Sequence, residues 1–600
     1  MHCRYNYVSI SIRIVSASCL CSARSVQFTL GRALLGVWTM GARSLRLAAT
    51  MLLCSVFGAP QALTQPSSVQ PGTIERSEQQ LPKPKSSGDI AIPEVTAPAP
   101  DGSFDAIKLT LKDVVIEGNA AIDGATLKAE FAGLIGREVT LADVFAGAQA
   151  VTKLYAARGY ALCLAYLPAQ DIEGGVVRVR VVEGYIEAIE VAADDAKLAR
   201  VVGAYGEPIT ASRPLRTAVL ERYLLLANDL PGVRVRSVVD NGSGAPGAMK
   251  LILRVERREW DASLSVDNRG TRALGPERGR IDLAGNGLVS ARERLSFTYM
   301  RGIDNDELDY LAGAFAMTLN AEGTVFSVDA SNTNSVPGTD DLAAIEFQTR
   351  GLVAGAKVFH PVVRSRAMNL FGEIGFTYKD LQGDILGLPN SDDRLSVASF
   401  ALHHDLVDGW DGISAIDLTV SQGLDLLDAT DKNDPFPSRA GADATFTRIE
   451  LSASRAQSLD HGFELYAALS AQYADSALLS SEQCGYGGAR FGRAFDAFEI
   501  AGDHCAMAQA ELRHRITPFS EMMDYLQLYV FADAGWVQRR GLVLPGELED
   551  AHAQSAGAGV RLGLFEHVDA SIEYADPLGD KIALEGDSDG RAFFSISVRR

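Results

Sequence analysis

An arginine and an aspartate that could form one buried ion pair are the chain's clearest candidates for charge chemistry. They lie in two motifs, Phe491-Gly492-Arg493-Ala494-Phe495-Asp496 and Phe531-Ala532-Asp533-Ala534-Gly535. Arg493 follows a glycine, which favours a turn, and Asp533 lies within a segment of alternating pattern. A lone charge that faces a partly dry interior is costly, so Asp533 needs a cation. The motifs therefore predict an Arg493–Asp533 ion pair, although a solvated loop arginine and a hydrated aspartate would also fit these residues.

Catalytic, metal and nucleic-acid chemistry have no comparable motif in the sequence. The chain has no Walker loop, no His-Glu-x-x-His and no Gly-x-Ser-x-Gly. We interpret its histidine cluster, His403-His404-Asp405, as a loop or lumen patch. The formal net charge of −20 argues against nucleic-acid binding, which basic surfaces carry. We therefore expect no enzyme activity, no metal, no cofactor and no nucleic-acid partner.

The strand that must hold Asp533 belongs to a long run of alternating segments that continues to the end of the chain. Closed barrels are the only β structures that span lipid, because an open edge leaves backbone groups unpaired in hydrocarbon. At about 20 residues per strand and connection, residues 258–600 predict a transmembrane β-barrel of about 16 antiparallel strands. Leu528 and Val530 take the opposite side of the strand from Asp533. If Leu528 and Val530 meet lipid, Asp533 faces the lumen.

Two smaller α/β units are expected before the barrel. In the first, residues 105–191, apolar residues recur at helical spacing from Leu141 to Tyr155, and strands follow at 161–167 and 176–183. In the second, residues 192–257, a helix over 215–226 ends at Asn228-Asp229-Leu230-Pro231-Gly232-Val233, and the closing strand covers 250–255. The element order in the first unit is β-α-α-β-β.

The N-terminal region is predicted to contain a secretory signal peptide followed by a linker. Arg43 and Arg46 precede a short apolar segment, residues 47–59, as in a secretory signal, and cleavage is expected after Ala62. Met40 is the expected start of translation. Residues 1–62 therefore comprise an over-extended N-terminus, which precedes that start, and the signal peptide. Residues 63–104 are rich in Pro and Ser and predict a flexible linker. The pattern allows a short helix over 73–80, but the stretch is brief and lacks an apolar face.

The chain has seven cysteines, and three lie beyond the expected signal and linker. Cys484 and Cys505 bracket the arginine motif, and an oxidising compartment would permit a disulfide that staples this loop. Two unrelated thiols would equally fit the sequence. Cys163 is expected to be a free, half-buried strand residue.

The two charged motifs, in this order and setting, resemble the ShlB/FhaC/HecB family. The sequence VVRVRVVEGYIEAIEV is similar to the first POTRA domain of this family, and NDLPGV is similar to the second. Residues 267–270 resemble the family's Asp-Asn-x-Gly motif. The resemblance implies an outer-membrane transporter of two-partner secretion, with POTRA domains in the periplasm. It also implies that Arg493 reaches Asp533 from a long loop folded into the pore, with Phe495 beside them. In the family a helix near the mature N-terminus can plug the barrel, but the missing apolar face over 73–80 argues against a plug here. The implied partners are one large secreted exoprotein, outer-membrane lipid and the machinery that inserts barrels.

Two other functions remain compatible with a barrel. An assembly factor of the BamA/TamA type would insert barrels, but it would carry more POTRA domains than the two expected here. A passive porin would need no chain-binding module in the periplasm. The sequence does not name the exported partner.

Overall fold

The computed structural model describes residues 69–78, 106–303, 306–543, 548–579, 581 and 588–600. The expected signal peptide and most of the expected linker lie outside the described residues. The first described element is helix α1, Pro71–Glu78. Within the described part of the chain, every helix is too short or too polar to cross a lipid bilayer.

The first α/β unit has two helices packed on a small sheet. Strands β2, β5 and β4 form this sheet, with β2 parallel to β5, while β1 and β3 pair separately. Helix α3 begins with a capping box in which Thr140 and Asp143 satisfy each other's backbone N–H groups. The elements are β1 Lys108–Thr110, β2 Asp113–Glu117, α2 Gly124–Lys128, β3 Glu138–Thr140, α3 Leu141–Ala157, β4 Leu164–Tyr166 and β5 Val176–Val182.

The second α/β unit begins earlier than the sequence predicted. Residues 185–191 fell within the predicted first unit, but strand β6 pairs in parallel with β8, so the second sheet starts at Tyr185 and not at residue 192. Its sheet has the order β6-β8-β7 and is covered by three helices. The elements are β6 Tyr185–Ala192, α4 Ala196–Ala204, α5 Glu207–Ala211, α6 Thr217–Asn228, β7 Val233–Asn241 and β8 Ala248–Arg257.

The rest of the chain forms a closed antiparallel barrel of 16 strands, as the alternation predicted. Each barrel strand pairs with the next barrel strand along the chain, and β26 closes the barrel against β9. The first strands are β9 Trp260–Asp267, β10 Arg278–Asn286, β11 Glu293–Gly302, β12 Leu308–Thr318, β13 Val325–Ser335, β14 Gln348–Arg364, β15 Met368–Ile385 and β16 Leu388–Val407. The remaining strands are β17 Gly412–Leu424, β18 Thr447–Ser458, β19 Phe463–Ala474, β22 His504–Ile516, β23 Met523–Gln538, β24 Asp550–Leu564, β25 Val568–Pro577 and β26 Arg591–Arg599.

Side chains alternate between a lipid-facing and a lumen-facing side along each strand, as a closed barrel in a membrane requires. On β23, Leu528 and Val530 are exposed on the outside, whereas Tyr529, Phe531 and Asp533 are buried. The lumen can therefore carry charged residues while the outer surface stays apolar.

The barrel has a near end, next to the α/β units, and a far end. At the near end, Arg364, the last residue of β14, donates to both carboxylate oxygens of Asp229, at 2.8 and 3.0 Å. Tyr223 and Arg222 on α6 both bond Glu322, which lies in the turn between β12 and β13. These contacts hold the second α/β unit against the rim, and Asp229 is the aspartate of the NDLPGV stretch.

Helix α1 lies inside the lumen, so the sequence-based argument against a plug was wrong. Glu75 accepts a hydrogen bond from Ser331 of β13, and Arg76 reaches Glu450 of β18 on the other side. The helix fits by close backbone approach: a Cβ on Gly72 would lie 2.2 Å from Cβ of Ser481. An apolar face is not required, because the lumen that surrounds this helix is largely polar.

Candidate functional site: a loop folded into the lumen

The arginine motif lies on a long loop, residues 475–503, that connects β19 to β22 and turns back into the barrel. Its stem is a short hairpin of β20, Cys484–Tyr486, and β21, Ile500–Gly502. Gly492 has φ +76°, a conformation that side chains with a Cβ rarely adopt. The glycine before Arg493 thus permits the turn that aims the arginine at the wall.

The structure brings Arg493 and Asp533 together in the barrel lumen. Nε and Nη2 of Arg493 lie 3.1 and 3.2 Å from the two Asp533 oxygens, and the Arg493 backbone N–H also donates to Asp533. The guanidinium carbon stacks 3.5 Å from the ring centroid of Phe531. The Arg493 side chain is 4% exposed and that of Asp533 is 0% exposed. This bidentate, stacked geometry uses the planar shape of arginine, which lysine lacks.

Two further wall carboxylates bind the same arginine, and sequence reasoning missed both. Nη1 of Arg493 lies 2.8 Å from Glu511 on β22 and 3.3 Å from Glu573 on β25. Glu511 also accepts from Arg561 and Arg513, at 2.6 and 2.7 Å. Their place beside Asp533 depends on barrel register, which pairs Gln509 with Asp533 and puts Glu511 two residues further along β22.

Arg269, from the Asp-Asn-Arg-Gly stretch after β9, completes the cluster around the arginine. It forms an ion pair with Glu573 and donates to the backbone oxygen of Arg493 at 3.4 Å. Its guanidinium carbon lies 3.8 Å from the ring centroid of Phe593. This stretch therefore contributes a lumen-facing charge as well as a turn.

Asp496 links the loop tip to both sides of the barrel's closing seam. One of its oxygens accepts from Arg591 of β26 at 2.6 Å, and the other accepts from the backbone N–H of Arg272 at 3.1 Å. Arg272 follows β9, and β9 and β26 are the strands that close the barrel. The pairing between these strands is short, running from Ser595–Asp267 to Arg599–Ser263. The loop tip thus spans the seam where the ladder is brief.

A tyrosine that sequence reasoning missed explains the two motif glycines. A Cβ on Gly492 would lie 2.6 Å from the Tyr486 ring, and a Cβ on Gly535 would lie 2.1 Å from it. Tyr486 is 0% exposed, and Phe495 lies at 5.8 Å between ring centroids. Ala494 is buried in the same apolar cluster. The glycines therefore leave room for one aromatic ring between the loop and the wall.

Cys484 and Cys505 form a disulfide that fastens the loop's stem to strand β22. Cys163 carries a free thiol, but it is fully buried rather than half-buried, and it lies just before β4. Burial raises the pKa of this thiol to about 11.

The plug helix contacts the same loop through a second charged cluster. Arg76 donates to the backbone oxygen of Glu482 at 2.8 Å and to Glu450 at 2.6 Å. The Glu482 carboxylate, 1% exposed, binds Lys379 at 2.6 Å and also pairs with Arg448. The plug and the folded-back loop therefore touch each other within the lumen.

Taken together, these contacts tie the folded-back loop and the plug helix to the barrel wall through buried ion pairs. Among the described residues, no group of three or more His, Cys, Asp or Glu is placed to hold a metal ion. His403 lies on β16 with its Nδ1 2.7 Å from Asp417, so this histidine has a lumen carboxylate as partner.

The chain matches the models of two known protein families. The family described as haemolysin secretion/activation protein ShlB/FhaC/HecB matches residues 250–562, which is more than half of the chain. The POTRA domain of the ShlB type matches residues 109–184, the first α/β unit. The match to both families confirms the resemblance carried by the motifs.

Individual relatives match over most of their length. The chain is 23% identical over 511 residues to the heme/hemopexin transporter protein HuxB of Haemophilus influenzae, covering 83% of this chain and 89% of HuxB. It is 23% identical to the outer membrane transporter CdiB of Dickeya dadantii, covering 74% and 78%.

Solved structures share the fold. CdiB from Escherichia coli superposes with a TM-score of 0.66 at 18% identity, covering 94% of this chain and 100% of that one. BamA from Haemophilus ducreyi gives a TM-score of 0.51 at 12% identity, covering 82% and 100%. With a family match over most of the barrel and a POTRA match before it, the chain belongs to the ShlB/FhaC/HecB family of outer-membrane two-partner secretion transporters.

Proposed function

We propose that this transporter captures one large unfolded exoprotein, of the haemolysin or adhesin kind, in the periplasm and passes it through the barrel to the cell surface. The observation that carries the proposal is the occupied lumen. A helix and a folded-back loop fill it, and both are held by side-chain ion pairs that can exchange. A passive diffusion pore has no use for such removable obstructions.

Capture is assigned to the two α/β units. Their sheets have the orders β2-β5-β4 and β6-β8-β7, which leave edge strands without a neighbour in either sheet. An extended chain can add to such an edge through main-chain hydrogen bonds, with little demand on its sequence. Strand β7, Val233–Asn241, is the longest of these edges. An unfolded exoprotein supplies the extended backbone that this mode of binding needs.

The Arg493 cluster is assigned to holding the closed state of the pore. Arg493 anchors the loop, Asp533 accepts it, and Gly492, Ala494, Phe495 and Asp496 fit the tip against the wall. Phe531 and Gly535 supply the stacking surface and the space that the tip requires. In the proposed mechanism, export uses no catalytic group of the transporter. Capture in the periplasm and folding outside the cell therefore set the direction of transport.

The deciding experiment compares culture-medium proteins from the native host with and without this gene. Loss of one large protein, with other outer-membrane proteins unchanged, is the expected result and would identify the cargo. An unchanged medium with several depleted barrels would instead favour the assembly-factor function. The likeness to BamA concerns the fold alone, so it does not decide between the two.

A further inference from the structure

The far end of the barrel, which faces the cell exterior, is covered by loops of two kinds. On one side, residues 425–446 fold over residues 475–482 and 539–543, and we call this the clamp side. Asp503, 0% exposed, accepts at 2.7 Å from Arg439, which belongs to the first of these segments. It also accepts from the backbone N–H groups of Leu478 at 2.8 Å and Arg540 at 2.6 Å.

Arg439 closes the clamp from the opposite direction. Its guanidinium donates to the backbone oxygens of Leu478 at 2.8 Å and Arg540 at 3.1 Å. Each of these two segments thus gives its N–H to Asp503 and its oxygen to Arg439. One buried ion pair therefore ties three loops together.

The clamp side has its own apolar core, which contains no residue of the plug. Its fully buried members include Leu395, Ala442, Phe446, Leu478 and Leu479. The plug does touch the edge of this side, at Ser481 and at the backbone oxygen of Glu482. Because neither the core nor the Arg439–Asp503 pair includes a plug residue, departure of the plug leaves both in place. The clamp side should stay closed when the plug moves.

The other side of the far end, the plug-supported side, is built around the plug itself. The loops at 268–277 and 336–347 pack into one apolar cluster, and Val69 and Ile74 of the plug segment are buried in it. Leu274, Leu342 and Phe347 are the loop residues that meet there. Thr349 also donates to the backbone oxygen of Val69, at 3.4 Å. Without the plug, this cluster loses part of its own core.

We propose that the outer mouth opens on one side only: departure of the plug unpacks the loops at 268–277 and 336–347, and the exported chain leaves there. The clamp side remains as a fixed wall. The export route rests on the proposed function, whereas the one-sided opening does not require any exported protein.

The first test measures opening directly on intact cells, with the full-length chain carrying Cys163→Ser. Leu342→Cys and Leu479→Cys each place a buried thiol, on the plug-supported and clamp sides respectively. An impermeant maleimide is applied with the plug present, with residues 69–78 deleted, and with Gly72→Val, which must displace the plug from Ser481. Peptide mass spectrometry assigns the labelled cysteine, and heat-modifiable migration on gels checks that each barrel is folded.

Labelling at position 342 should rise several-fold when the plug is deleted or displaced, while position 479 stays protected. Equal labelling at both positions would overturn the proposal, because the clamp side would then open too. Continued protection at position 342 would overturn it as well. The Gly72→Val chain keeps residues 69–78 and differs by one side chain from the chain with the plug present. It therefore controls for a general destabilisation of the barrel by the deletion.

The second test concerns the route. Asp341→Cys and Lys432→Cys place exposed thiols on the plug-supported and clamp sides, and each is coupled to a bulky maleimide–polyethylene glycol. The adduct at position 341 should block release of the host's secreted protein, and that at 432 should not. Equal release from both would refute the route alone. No secreted protein from uncoupled cells would refute the proposed function, and the labelling result would still stand.

Discussion

Replacing Arg493 by alanine is the most direct perturbation of the folded-back loop. Glu511 would keep Arg561 and Arg513, and Glu573 would keep Arg269. Among the residues that the structure describes, Asp533 would retain no side-chain cation, only Ser555 and a backbone N–H. The change therefore strands mainly one buried carboxylate.

The size of the effect follows from that count. Leaving one partner of a buried pair without its counter-ion costs about 3–5 kcal/mol. Because two of the three carboxylates keep an arginine, we take the lower end, about 3 kcal/mol, which corresponds to about a hundredfold shift in the loop equilibrium. The loop-in conformation should lose that preference, while the barrel itself still folds.

Planar-bilayer conductance reports the loop state, secretion of the host protein reports function, and heat-modifiable migration reports folding. Arg493→Ala should raise the resting conductance and lower secretion, with folded barrel yield unchanged. Arg490→Ala removes an exposed arginine from the same loop and serves as the matched control. The Arg493→Ala/Asp533→Ala pair should recover much of the closed state, because no charge is then stranded. Normal conductance and secretion in Arg493→Ala would refute this reasoning.

Three other experiments test parts of the same structure. Gly535→Val should expel the Tyr486 ring and raise resting conductance, measured as above, whereas Ala534→Val on the lipid-facing side should not. Asp229→Asn should weaken the Arg364 pair and increase the spread of distances between the second α/β unit and the barrel, measured by double electron–electron resonance. The Cys163 thiol, with its pKa raised to about 11, should resist iodoacetamide at pH 8 in the folded protein and react once unfolded.

The central pair could be found from sequence because each half is specified locally. A glycine turn places Arg493, and strict alternation along β23 places Asp533 on the lumen side. The barrel as a whole could also be predicted from the sequence, because every strand repeats the same two-residue alternation of apolar and polar side chains. Its closing strands still required the structure to identify the brief seam.

Glu511, Glu573 and Tyr486 could not be found in the same way. Each is one polar or aromatic residue in a segment that has many, and its partner lies on another strand or loop. The register of the barrel brings the two glutamates to Arg493, and the fold of the loop brings Tyr486 to Gly535. A glycine at a lumen-facing strand position was the one local signal of a ring packed against the wall.

The plug and the domain boundary were missed because both expectations relied on local patterns. A helix in a polar lumen needs ion pairs and a small residue at its contact, so the absence of an apolar face was misleading. Strand β6 follows β5 closely in sequence, but its hydrogen bonds go to β8, and only sheet pairing reveals that. Sequence periodicity identifies elements more readily than it identifies their neighbours.

The charge distribution around the two obstructions indicates which one leaves first. When the plug departs, Glu450 keeps Arg448 at 2.9 Å, and Glu482 keeps Lys379 and Arg448. In the described part of the chain, no wall carboxylate loses its last cation, so removing Arg76 strands no charge. Withdrawal of the loop tip does strand one, because Asp533 depends on Arg493. The plug should therefore move more easily than the loop, and an exported chain should meet the loop as the second and stronger barrier.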